Sequence, residues 1–247
     1  MTGTPMTGTP MTGTPAGALV LSPEVVAERL AQVKDRIARA QRGPGPVTVI
    51  AVTKGWGPAA VAAAVGAGIQ DIGENYAQDL LSKYSTAPAG VRWHFLGELQ
   101  RNKLSRLAPC VYLWHGLDSE GEVLALARRR PAAAVLVEVM VAPGERRHGA
   151  APEKVPALVA NAVHAGLDVR GLMAVGPADA PAEEVRRCFG EVARLGRSLG
   201  LPELSMGMTA DFELAVAEGA TMVRLGTALF GQRTGPDAAG PGAVTLR

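Results

Sequence analysis

The sequence predicts a (β/α)8 TIM-like barrel preceded by one extra helix. Eight short apolar runs, rich in Val, Ile and Leu, are each followed by a segment with helical spacing. Together they span roughly 200 residues, the size of such a barrel. No Gly-x-Gly-x-x-Gly, a mark of many dinucleotide-binding sheets, follows the first run. An open doubly wound sheet is the alternative, but it does not need eight units.

Residues 1–16 form a leader. Met-Thr-Gly-Thr-Pro is written three times over residues 1–15, and tandem Gly, Thr and Pro neither bury a core nor hold a helix. Each copy begins with Met, so the start codon is ambiguous. The folded unit is expected over 17–233, with a loose Gly/Pro/Ala tail at 234–247.

Ser22-Pro23-Glu24 reads as a helix start: a cap, a proline at the first helical position and an acid in the first turn. Val25, Leu30, Val33 and Ile37 form its apolar stripe, and Gly43 to Pro46 ends it. Strands are then predicted at 47–53, 69–73, 92–96, 111–115, 134–140, 167–174, 203–206 and 221–225. Helices are predicted at 58–67, 76–84, 101–107, 119–130, 152–165, 181–199 and 210–218, with a last segment at Leu229-Phe230. Val185, Phe189, Val192, Leu195 and Leu199 mark the buried side of 181–199.

Bulk properties exclude several classes. The net charge of +2 and aromatic content of 4% argue against a nucleic-acid surface. No run of about 18 apolar residues spans a membrane, and no secretory signal opens the chain. Two cysteines, Cys110 and Cys188, make no disulfide framework or metal spacing, and a cytoplasmic protein is expected. His148 and His164 have no partner at ligand spacing, so no metal is assigned. Glu145-Arg146-Arg147-His148 reads as a solvated loop.

In a barrel the carboxyl ends of the strands make the ligand face. Lys54 closes the first strand there, before Gly55-Trp56-Gly57-Pro58. Three readings compete for it: a solvated lysine, a phosphate-binding charge, or an amine that forms an imine with a carbonyl. Other strand ends supply Glu74-Asn75, His94, His115 with Asp118, Glu138, Met173, Ser205 with Thr209, and Arg224 with Gly226-Thr227. Barrels often bind phosphate after strands seven and eight, and Thr209 is placed to cap the helix that follows it. Gly226 lets an anion approach the backbone, and Thr227 adds a hydroxyl. Strand-ending turn chemistry explains the same residues. A lysine with a phosphate cradle opposite fits a phosphorylated aldehyde. Pyridoxal 5′-phosphate (PLP) has that shape, a phosphosugar is the rival, and flavin phosphate is a third choice. His94 reads equally as a ligand-orienting group or a hydrogen-bonded core histidine. His115 and Asp118 are placed to pair, and Gln100 to Lys103 is an anion site or a helix-start surface.

The motifs resemble the pyridoxal phosphate homeostasis protein family, single-domain barrels related to the alanine racemase N-terminal domain. The matching segments are Ala51 to Lys54, Gly73 to Tyr76, Trp93 to Gly97 with Leu99-Gln100 and Asn102-Lys103, Gly171 to Ala174, Leu204 to Met208, and Val223 to Gly231. The resemblance implies a PLP Schiff base on Lys54, Arg224 at the pyridine nitrogen, and a phosphate held by Gly226, Thr227 and Thr209 with Ser205. It implies that Asn75, His94 and Met173 line the pocket. It also implies a monomer that supplies PLP to apo forms of PLP enzymes. An arginine cannot accept a proton, so the ring nitrogen stays neutral and the ring is a weak electron sink. Two departures stand out: Trp56 and Arg147 occupy positions where the family often has lysine.

A PLP enzyme of the alanine racemase type is the alternative function. Those enzymes add a β-domain that supplies a tyrosine. Here the 17 residues after Phe230 contain no Tyr, His or Lys, and the three tyrosines are Tyr76, Tyr84 and Tyr112. Of these only Tyr76 is placed to reach the site, which is thin support for a two-base mechanism. The expectation is a carrier and buffer of PLP with no catalytic residue.

Overall fold

The structure is a computed structural model, and it describes residues 21–141 and 148–232. The leader, the C-terminal tail and Glu145, Arg146 and Arg147 lie outside the described residues. The chain runs α1 (Pro23–Ala40), β1 (Thr48–Val52), α2 (Pro58–Gly66), β2 (Asp71–Glu74), α3 (Ala77–Tyr84) and β3 (Arg92–Phe95). It continues α4 (Leu104–Leu107), β4 (Val111–Leu117), α5 (Glu120–Arg129), β5 (Ala134–Glu138), α6 (Val155–His164) and β6 (Asp168–Ala174). The last elements are α7 (Ala182–Ser198), β7 (Glu203–Met206), α8 (Phe212–Ala217), β8 (Met222–Leu225) and α9 (Thr227–Phe230).

The eight strands pair in sequence order, all parallel, and β8 returns to β1. This is the expected (β/α)8 barrel. Closure has a consequence for the site. β1 and β8 are neighbours, with Ala51 opposite Leu225, so the loops after them lie side by side. Gly226 and Thr227, expected opposite Lys54, are therefore beside it.

Strand residues alternate between two cores, as the twofold period of a strand requires. Val49, Ala51, Ile72, Trp93, Phe95, Trp114, Val135, Val137, Leu172, Leu204, Val223 and Leu225 face the helices. Ile50, Leu113, Ala134, Leu136, Met173 and Met222 form a separate cluster inside the barrel. Asp71, His94, His115, Glu138, Ser205 and Arg224 add buried polar groups, of which Glu138 and Arg224 reach the cavity.

α1 is capped as predicted, with the Ser22 hydroxyl accepting from Val25 N at 3.4 Å. Its buried stripe is Val26, Leu30, Val33 and Ile37, not one starting at Val25. Two adjacent valines are indistinguishable by residue type; spacings of four, three and four from Val26 fit the helical period better. α1 also latches the last turn of the barrel, where Arg29 Nη1 donates to Leu229 O at 3.1 Å. On α7, Leu195 and Leu199 are only partly buried, and Cys188, Ala193 and Gly196 take the inner positions. A Cβ at Gly196 would come within 2.9 Å of Leu204 Cδ2, so a larger side chain there would have to displace Leu204. The helix expected from 101 starts at Leu104, because Gln100 to Lys103 first makes a turn closed by Lys103 N donating to Gln100 O. β4 runs two residues past His115, to Leu117, through an irregular register with β5.

Candidate functional site

A cavity of about 720 Å³ opens at the carboxyl ends of the strands. Seven of the nine predicted site residues line it: Lys54, Asn75, Met173, Thr209, Arg224, Gly226 and Thr227. His94 and Ser205 do not. Both are buried in the barrel interior, below the cavity floor.

Lys54 follows β1 in a tight turn. Trp56 N donates to Thr53 O at 3.0 Å, and Gly55 takes a φ of 71°, which a glycine adopts without strain. The amine is exposed to the cavity, but its support is buried. Lys83 Nζ, from α3, donates to Thr53 O at 2.8 Å and to the Glu74 carboxylate. Thr53 Oγ1 donates to Glu74 Oε1. This network fixes Thr53 just before Lys54 and Glu74 just before Asn75. Burial pushes the Glu74 carboxyl up, and Lys83 opposes that. Gly97, after β3, presses against the Asn75 carbonyl so closely that any Cβ there would clash. Only glycine lets the β2 and β3 loops meet and seat Asn75.

Arg224 on β8 forms part of the cavity floor. Its Nη1 donates to Ser205 O at 2.6 Å and to Ser205 Oγ at 2.8 Å, and its Nη2 donates to Ala174 O at 2.9 Å. Burial brings the guanidinium down to about 10, with Glu138 and Asp211 acting the other way. It therefore stays charged at neutral pH. Glu138, at the end of β5, also lines the cavity; the sequence placed it at a strand end on the ligand face but gave it no binding role. Burial pushes its carboxyl up to about 7; Arg224 and His148 partly offset this and Asp118 adds to it. A glutamate at a strand end reads the same whether buried or solvated, so only its packing shows that it is buried.

Thr209 does not cap its own following helix. Asp211 holds that loop by accepting from Met208 N at 2.6 Å. Thr209 Oγ1 instead accepts from Ala228 N at 3.2 Å, across to α9. That bond brings Thr209, Gly226 and Thr227 to one corner of the cavity, next to β1. His115 and Asp118 do not pair. Both nitrogens of His115 face other partners, and Asp118 accepts from Gly149 N at 3.0 Å. Gln100 and Lys103 line the cavity rather than an outer surface, as do Tyr76 and Trp56. Trp56 stacks at a tilt on Phe230, with ring centroids 5.8 Å apart. Among the described residues no cluster of His, Cys, Asp or Glu is placed to hold a metal ion. None of their helices is long and apolar enough to cross a membrane.

Residues 29–234 match the family model of the alanine racemase N-terminal domain. A pyridoxal phosphate homeostasis protein from Deinococcus radiodurans is 40% identical over 206 residues, covering 81% of this chain and 97% of the relative. The chain belongs to the pyridoxal phosphate homeostasis protein family. A solved structure, PipY of Synechococcus elongatus PCC7942 with PLP bound, is 33% identical. It superposes with a TM-score of 0.73 over 83% of this chain and 100% of that one. Alanine racemase from Corynebacterium glutamicum, at 16% identity and a TM-score of 0.65, shares the fold over 84% of this chain and 60% of its own. The resemblance read from the motifs is thus borne out, and the homeostasis family carries it at far higher identity than the racemase does.

Proposed function

We propose that this chain binds PLP covalently through Lys54 and serves PLP homeostasis as a carrier, without turnover of its own. The observation that carries the reading is one cavity in which an exposed amine, a buried arginine and a Thr209/Gly226/Thr227 corner converge. The family membership and the PLP-bound relative support it. The residues fit the group. When bound, PLP supplies an aldehyde that condenses reversibly with a primary amine. Lys54 provides the amine, and the buried Lys83–Glu74–Thr53 network holds the turn that presents it. The hydroxyls of Thr209 and Thr227 and the open backbone at Gly226 offer donors to a phosphate. Arg224, fixed by three bonds, can only donate, so it faces a ring nitrogen as a donor and never as a base. Asn75 and Met173 line the remaining walls. The carrier would act in the cytoplasm as a monomer, hold the aldehyde at low free concentration and deliver it to apo-enzymes.

The test is the visible spectrum of the purified protein. It is expected to be yellow, to bleach on borohydride reduction and to carry the reduced adduct on Lys54 by peptide mass spectrometry. Lys54→Ala should lose the adduct entirely. A colourless protein that accepts no PLP on Lys54 rejects the reading. Turnover of L- or D-amino acids at ordinary enzymatic rates rejects the carrier role alone.

A further inference from the structure

The barrel interior holds a continuous polar path that the PLP site alone does not explain. It begins at the amino-terminal mouth, where Arg92 Nε donates to Asp71 Oδ1 at 2.7 Å. Asp71 Oδ1 lies 3.0 Å from His94 Nε2. His94 Nδ1 lies 2.9 Å from His115 Nε2. His115 Nδ1 lies 3.0 Å from Ser205 Oγ, across the barrel from β4 to β7. Ser205 Oγ then accepts from Arg224 Nη1. The path thus ends at the floor of the cavity. His94, His115 and Ser205 are at most 1% exposed.

The two ends fix the direction of every bond. Asp71 is held as a carboxylate: burial raises its pKa, but the bonds from His94 and Arg92 outweigh that and bring it to about 2. A carboxylate only accepts, so His94 must donate from Nε2. Burial keeps both rings neutral: it lowers His94 against the pull of Asp71, and it lowers His115 further with help from His94 and Arg224. A neutral ring that donates from Nε2 accepts at Nδ1, so His115 must donate from Nε2 to His94. By the same step Ser205 must donate its hydroxyl proton to His115 Nδ1. A lone pair of the Ser205 hydroxyl oxygen then accepts from Arg224 Nη1. Each of the three middle groups has one donor and one acceptor in use, with no conflict.

We propose that Asp71, His94, His115 and Ser205 form a one-way donor relay that orients Arg224 at the cavity floor. They are positioning residues; none lines the cavity. Each bond in such a chain polarises the next, so the charge of Asp71 is felt through the series. The relay explains why a set of polar groups occupies interior positions that a barrel usually fills with Val, Ile or Leu. Its effect on the ligand rests on the reading of Arg224 as the group facing the PLP ring.

Two measurements test it. The first uses the ligand-free full chain, labelled with 15N, and reads the tautomers of the histidines by long-range proton–nitrogen correlation. Replacing His148 and His164 by Gln assigns the other two of the four histidines. Both His94 and His115 should be neutral and carry the proton on Nε2. A proton on Nδ1 of either ring, or a charged ring at pH 7, overturns the relay whatever the cavity binds. The second compares Ser205→Ala with Ser205→Thr after loading with PLP. Ser205→Ala should shift the visible absorption maximum and weaken PLP retention about tenfold, and Ser205→Thr should restore both. An unchanged spectrum with retention within twofold of the parent overturns the coupling to the ligand. Loss of PLP binding in the parent protein would instead reject the cofactor reading and leave the first measurement standing.

Discussion

The two sides of the cavity are built on opposite plans. On the β1–β2 side an exposed amine, Lys54, stands on a compact buried network, Lys83–Glu74–Thr53, drawn from adjacent elements. On the β7–β8 side the cation itself, Arg224, is buried, and its supports reach across the whole barrel. The difference follows from the roles proposed. An amine that must exchange with an incoming aldehyde needs to reach solvent, so rigidity is placed one residue back. A donor that must hold one direction needs no access and can be locked in the interior.

The comparison makes the Lys83 network the more brittle support, because it contains a fully buried carboxylate with one cationic partner. Glu74 and Lys83 are 0% and 3% exposed. Lys83→Met should destabilise the fold by about 3–5 kcal/mol, since it strands a buried charge. The Lys54 turn should loosen with it, so the fraction of chain modified by PLP and borohydride should fall. Adding Glu74→Leu to Lys83→Met should recover much of the loss, because the uncompensated charge is then gone. Urea unfolding of the three proteins checks this; a double variant no more stable than Lys83→Met would show that packing, not charge, dominates.

The Arg224 side is sharpened by pH. Glu138 titrates at about 7 when folded, against 4.5 for an ordinary glutamate. The folded state therefore binds this proton more tightly than the unfolded chain. The stability that Glu138 contributes is complete below about pH 4.5 and is lost as pH rises through 7. By pH 8 the loss is on the order of 3 kcal/mol. Glu138→Gln cannot ionise, so it should escape this loss and gain on the parent by up to that amount between pH 4.5 and 8. Denaturant unfolding at the two pH values decides the matter. Parallel profiles would mean that Glu138 is paired with Arg224 strongly enough to ionise at low cost. Glu122, also near 7, changes both proteins equally and drops out of the difference.

The same contrast explains what was legible in the sequence. Lys54, Asn75 and Gly226-Thr227 sit at strand ends, so counting strands was enough to bring them to one face. The network under Lys54 involves residues 21 and 9 apart on consecutive units, and Thr53 and Glu74 lay inside recognised motifs. The relay under Arg224 was not legible. His115 and Ser205 are 90 residues apart, and their meeting depends on which strand residues face inward and on how far the barrel is staggered. Twofold alternation places His115 on the inner face but cannot name its partner, so Asp118, three residues on, was the pairing the sequence offered. Barrel closure had the same effect on the corner formed by Thr209, Gly226 and Thr227: only the pairing of β8 with β1 shows that it adjoins Lys54.

One contact ties the two sides together, and it is the weakest of the effects predicted here. Trp56, on the Lys54 turn, meets Phe230, on α9, with rings inclined by 50°. The family often has lysine at the Trp56 position, which would extend past this ring toward water. Here the ring pair anchors the Lys54 turn to the corner formed by Gly226 and Thr227. Trp56→Leu keeps most of the apolar contact and removes the ring pair, so it should cost about 1 kcal/mol. If the anchor matters for the site, the same change should speed PLP release from Lys54 while the NMR signals of His94 and His115 stay in place. Release at the parent rate would assign Trp56 to packing alone. Disturbed histidine signals would show that the two sides are one mechanical unit, and that the contrast between them is shallower than their hydrogen bonds indicate.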